Sequence, residues 1–101
     1  MDFKVQLYEK DQRSGTESKL DTQLIRIKSE RISLYAELEK TLAQRFERLQ
    51  RPNTATQIFW QDNEGDRINV KDQYGFELAI DNMSGPPYKL VVLFETTDAN
   101  G

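Results

Sequence analysis

A chain of 101 residues, with 14 Lys or Arg against 17 Asp or Glu and a formal net charge of -3, has one domain's length. It lacks the basic bias of a general nucleic-acid binder. It contains no Cys and no His, which removes disulfides, thiolate zinc sites, thiol nucleophiles and imidazole bases, so binding is the expectation, with no enzyme activity, no metal and no cofactor.

Phe3, Val5 and Leu7 alternate with Lys4, Gln6 and Tyr8, and period two with aromatic and β-branched residues predicts a strand. The polar stretch from Glu9 to Lys19 holds a turn at Ser14-Gly15. Leu24-Ile25-Arg26-Ile27-Lys28 predicts a second strand, paired with the first as a hairpin. A helix is expected over 34–50, with Ser33 as its N-cap and Glu37 and Glu39 near its positive end. Its apolar stripe is Tyr35, Leu38, Leu42, Phe46 and Leu49, at spacings of three and four. Arg51-Pro52-Asn53 ends it.

The second half begins with a strand from Thr56 to Trp60 and a tight turn, Asp62-Asn63-Glu64-Gly65-Asp66. Arg67-Ile68-Asn69-Val70 pairs back as a hairpin. Gln73 to Asn82 predicts a short helix, and Ser84-Gly85-Pro86-Pro87 breaks it. Tyr88 to Phe94, rich in Leu and Val, predicts a central strand. The order β-β-α-β-β-α-β gives an α+β class: a mixed sheet with one main helix on one face, the order of ubiquitin-like β-grasp folds. One domain is expected over 1–96 and a loose tail over 97–101. The opening Met1-Asp2-Phe3-Lys4 lacks the pattern of a signal peptide, and no apolar run approaches the ~20 residues that cross a bilayer. Both point to a cytoplasmic protein without a membrane partner.

The acidic turn is the most informative segment. Its three carboxylates, Asp62, Glu64 and Asp66, repel one another unless cations, a partner's Lys or Arg, or water and salt offset them. A calcium loop starting at Asp62 would need Gly where Arg67 stands and Glu where Gln73 stands, so both positions fail. Two readings stay open for the turn: ordinary solvated turn chemistry and a docking surface. Lys4, Arg26 and Lys28 lie on the first two strands and cluster on one side if those strands pair. They form either the polar face of an amphipathic hairpin or a basic docking face. Trp60 and Phe59 read as core or hairpin aromatics; a nucleic-acid platform needs aromatics interleaved with a wider basic patch.

From Ile58 to Val70 the sequence resembles the Phox-and-Bem-one (PB1) family. That family's acidic motif runs aromatic, any, Asp, any, acidic, Gly, Asp, then a strand and a short helix ending near Ala. Trp60, Asp62, Glu64, Gly65, Asp66 and Ala79 stand in those places. The family's first-strand lysine matches Lys4, and the hydrophobic–basic doublet on the second strand matches Ile25-Arg26; Lys28 is a weaker match. The element order agrees from Phe3 to Phe94.

The resemblance implies an interaction module in which the acidic turn of one domain docks front-to-back on the basic strand face of another. It implies a partner that is the chain itself or another PB1-type domain, a salt-sensitive homo-oligomer or heterodimer, and a setting in signalling scaffolds or autophagy receptors. One departure stands out. The family has a second acidic cluster before the short helix, whereas Asp72-Gln73-Tyr74-Gly75 supplies only Asp72, one place out of register, with Glu77 as a substitute. The alternative is a ubiquitin-like domain that binds a small GTPase along its second-strand edge, leaving Asp62 and Asp66 idle. A ubiquitin-like modifier needs a Gly-Gly terminus, and the sequence ends Ala99-Asn100-Gly101.

Overall fold

The alternation of Phe3, Val5 and Leu7 becomes a strand, β1 (Asp2–Lys10), in a computed structural model that describes residues 1–96. The tail expected over 97–101 lies outside the described residues. Strand β2 (Glu17–Arg26) pairs antiparallel with β1, with a register shift between Leu7 and Tyr8. A 3₁₀ turn (Arg31–Ser33) leads into α1 (Leu34–Arg45), and a second 3₁₀ turn (Glu47–Gln50) follows. Then come β3 (Thr54–Gln61), β4 (Arg67–Val70), α2 (Gln73–Asn82) and β5 (Tyr88–Thr96). The five strands form one mixed sheet in the order β2-β1-β5-β3-β4, with β1 and β5 parallel. The α+β expectation and the central place of the last strand both hold.

The core lies between the helices and one face of the sheet. Phe3, Val5, Ile25, Leu90, Val92 and Phe94 meet Leu34, Leu38 and Phe76, all fully buried. Phe76 anchors α2 by stacking on Phe3 at 5.6 Å and meeting the Tyr35 ring edge-on at 5.8 Å. Each aliphatic of this size adds roughly 1.5–3 kcal/mol by leaving water, so this cluster sets the sheet's register.

Three expectations need correction. First, β2 begins seven residues before Leu24, because an edge strand open to solvent carries no alternation over Glu17–Thr22 to betray it. Second, α1 ends at Arg45, not at residue 50. Phe46 turns extended (φ -120, ψ 95), and the 3₁₀ turn returns Leu49 to the core edge. Third, Ser33 offers no side-chain cap; its own N–H donates to the Glu30 carbonyl inside the preceding 3₁₀ turn. Leu34, fully buried, joins the stripe ahead of Leu38 and Leu42.

Among the described residues no helix covers the other face of the sheet, yet Val91 and Leu93 are only 7% exposed there. The registers set them beside Phe59 and Tyr8, and the Arg67 guanidinium lies 5.5 Å from the Tyr8 ring centre. Arg67 also pairs with Glu17 at 2.6 Å. Those two residues sit on the opposite edge strands β4 and β2, so the sheet twists enough for its edges to meet over Tyr8.

Candidate functional site

Strand pleating decides where the basic residues go. Phe3, Val5 and Leu7 point into the core, so Lys4 points to the helix-free face. Lys4 stands opposite Leu24 on β2, and Asp2 stands opposite Arg26. The pleat therefore puts Lys4, Leu24 and Arg26 on one side. The hairpin thus brings Lys4 and Arg26 together as expected, while Lys28 lies beyond the end of β2, exposed. Arg26 is partly engaged: its Nε and Nη2 reach the two carboxylate oxygens of Asp2 at 2.7 and 3.1 Å. That hydrogen-bonded pair holds the Asp2 carboxyl below its usual range and raises Arg26 further.

A lysine that sequence reasoning passed over completes the row. Lys89 on β5 is the register partner of Lys4 and is exposed. Among the described residues neither Lys4 nor Lys89 takes part in an ion pair. The signal was available only through topology: a parallel β1–β5 pair is needed before residues 4 and 89 become neighbours.

The acidic turn is built by Asp62 and Gly65. The Asp62 Oδ1 accepts the backbone N–H of Glu64 at 3.0 Å and of Asp66 at 2.8 Å. The Asp62 N–H donates to the Asp66 carbonyl at 3.0 Å and the Gly65 N–H to the Asp62 carbonyl at 3.1 Å. Gly65 adopts φ +86, the left-handed region in which a side chain is strained. The Gln61 amide donates to the Gly65 carbonyl at 2.9 Å. The result brings carboxylate oxygens of Asp62, Glu64 and Asp66 within 4.8 Å of one another, with Glu64 and Asp66 exposed. No Lys or Arg among the described residues pairs with them. Asp62 is spent largely on the turn itself, so Glu64 and Asp66 carry most of the outward charge.

The helix acids do not enlarge this patch. Asp72 is the N-cap of α2, accepting the Gly75 N–H at 2.7 Å. Glu77, read from sequence as a substitute, is held by Arg31 at 3.1 Å, and the same guanidinium binds Asp81 at 2.5 Å. Burial, with Glu39 and Asp72 nearby, pushes the Tyr35 phenol up, and the Tyr35 N–H donates to the side chain of Gln73, next to Asp72, at 2.9 Å.

Both patches sit at one end of the sheet, on its two halves. Lys4 and Arg26 occupy β1 and β2; the turn joins β3 to β4; β5 runs between. With strands about 4.8 Å apart, β1 and β3 are separated by roughly 10 Å. Lys89 lies in the dividing strand and lines a small hollow with Gln61 and Asn63. A hollow of about 440 Å³ lies between α1 and the β3–β4 edge, lined by Tyr35, Leu42, Leu49, Ile58 and Val70 among others, away from both patches. No helix among the described residues is long and apolar enough to cross a membrane.

No protein-family model and no curated protein matches the sequence. Among solved structures, the chain is similar to the solution structure of the PB1 domain of Cdc24p in its long form. The match has a TM-score of 0.52 at 14% identity, and covers 95% of this chain and 96% of that one. The chain has the fold of a PB1 domain, the ubiquitin-like β-grasp.

Proposed function

We propose that this chain is a protein-interaction module, not an enzyme, which associates front-to-back. The basic row of Lys4, Arg26 and Lys89, with Lys28 at its margin, docks on the acidic turn of Asp62, Glu64 and Asp66 in a second copy or in another PB1-type domain. One observation carries the reading: two compact patches of opposite charge share one sheet, and among the described residues Lys4, Lys89, Glu64 and Asp66 have no ion-pair partner. A patch of one sign repels its own copy, so symmetric pairing through either patch is disfavoured and a heterologous contact is favoured. Such a module would serve a cytoplasmic scaffold or receptor that must assemble.

The test is complementation. A basic-dead chain carries Lys4→Ala and Lys89→Ala; an acid-dead chain carries Glu64→Gln and Asp66→Asn. All four sites are at or near the surface, so melting should stay within about 0.5 kcal/mol of the unmodified chain. Each variant alone should sediment as a monomer. Mixed, they should form a one-to-one dimer that cannot grow, because one intact junction remains. A mixture that stays monomeric while the unmodified chain associates refutes the reading.

The second reading, a small GTPase or other partner on the β2 edge, has one observation in its favour: β2 is an edge strand. It predicts that the acid-dead chain binds such a partner as well as the unmodified chain does.

A further inference from the structure

We infer that Leu24 is the apolar centre of the basic side and packs against Ile68 of a second copy, an inference that rests on the front-to-back reading above. Leu24 is 72% exposed, beside the buried Ile25, and is far more open than Leu20, the third apolar residue of the strand, at 39%. Single exposed leucines are common, so exposure alone decides nothing. Its neighbours decide. The Met1 ammonium donates to the Ile27 carbonyl at 2.7 Å and the Ile27 N–H donates back to Met1 at 2.9 Å. Residues 1 and 27 are therefore a hydrogen-bonded pair, and alternation makes Lys4–Leu24 a non-hydrogen-bonded pair, the kind whose side chains lie closest. Arg26, two residues on, shares the side of Leu24. A shallow hollow beside them is lined by Asp2, Leu24, Ile25, Arg26 and Pro87. The leucine is thus ringed by Lys4 and Arg26 and stands next to an unfilled concavity.

The acidic side repeats the arrangement with opposite charge. Ile68 is 39% exposed on the edge strand β4, two residues after Asp66 at the end of the turn and two before the buried Val70, whose side of the strand it shares. One edge strand offers an aliphatic beside a cation, and the other an anion beside an aliphatic. Exposed ion pairs contribute little while water surrounds them. An apolar contact at their centre excludes that water and strengthens the charges around it, the pattern of interface hot spots. The occupant that fits both the charge and the apolar surface of the Leu24 side is the turn-and-β4 side of another copy.

The complementing pair separates this inference from the reading beneath it. In the acid-dead chain the basic side is the one engaged, so Leu24→Ser there should weaken the mixed dimer at least about tenfold by sedimentation. The salt dependence should be unchanged, since no charge is lost. The same Leu24→Ser in the basic-dead chain, whose basic side is idle, should change nothing, which a mere loss of fold would not reproduce. Ile68→Thr in the basic-dead chain should weaken the dimer by a similar factor. An equally tight dimer with Leu24→Ser in the acid-dead chain overturns the inference and leaves the front-to-back reading intact. Weakening by Leu24→Ser but not by Ile68→Thr overturns the pairing of the two residues. If the two parent variants fail to dimerise, the reading falls and the inference with it.

Discussion

Asp62 and Asp66 differ in chemistry although the sequence presents them as equals. The Asp62 Oδ1 accepts two backbone N–H groups and closes the β3–β4 turn, whereas Asp66 is exposed and tied in only through its backbone. Asp62→Ala should therefore cost about 1 kcal/mol of stability and disorder the turn, lowering association indirectly. Asp62→Asn keeps an oxygen acceptor in place. It should melt near the unmodified chain and test the charge alone. Urea unfolding of the two variants checks the difference, and equal loss in both would show that the charge, not the acceptor, holds the turn. The sequence could place the three acids in one turn because Asp, Asn and Gly have strong local preferences there. It could not say which carboxylate faces outward, because that depends on which oxygen meets which N–H. Lys4 was legible for the same local reason, strand alternation. Lys89 was not, since its partnership with Lys4 spans 85 positions and exists only once β1 and β5 lie side by side.

Elements were legible where burial writes a period into the sequence. Strand β1 and helix α2 carry one, whereas β5 is legible as a continuous buried apolar run and β4 only through the turn before it and Val70 at its end. The first half of β2 has no buried face, and only its pairing with β1 defines it. Helix α1 shows the opposite failure: the apolar spacing runs on through Phe46 and Leu49, but a 3₁₀ turn continues what the helix began. Helix α2 raises the question of its acids. Asp72 caps it, and Arg31 fastens it to the turn before α1 through Glu77 and Asp81. These acids belong to the fold. Asp72→Ala should cost about 1 kcal/mol, read as a lower melting temperature, and leave the mixed-dimer affinity of the complementing pair unchanged. A weakened dimer with unchanged melting would return Asp72 to the acidic patch.

At the scale of the whole molecule, the net charge of -3 says little, because the charge is sorted and not spread. The face that gathers Lys4, Lys89 and Arg26 is positive beside a turn that holds three carboxylates, and Lys89 on β5 stands between Lys4 and that turn. On the front-to-back reading proposed above, each contact between two unlike faces leaves a new pair of faces open at the ends, so assembly would have no natural stop. Average mass should then rise smoothly with concentration instead of levelling off at the dimer. Salt sets the range over which the two patches attract. Screening shortens from roughly 14 Å at 0.05 M to about 3 Å at 1 M, against a separation of about 10 Å between the strand of Lys4 and the strand that leads into the acidic turn. Low salt should therefore lengthen the assemblies and high salt shorten them, with steering of encounter lost first. The apolar contact of Leu24 does not feel the screening, so a residual dimer should persist at 1 M salt in the unmodified chain and vanish in Leu24→Ser. Sedimentation of both chains across that salt range checks the argument. Mass that levels at two copies at every concentration would mean that the faces close on each other in a symmetric pair, and the sorted charge would then need another purpose.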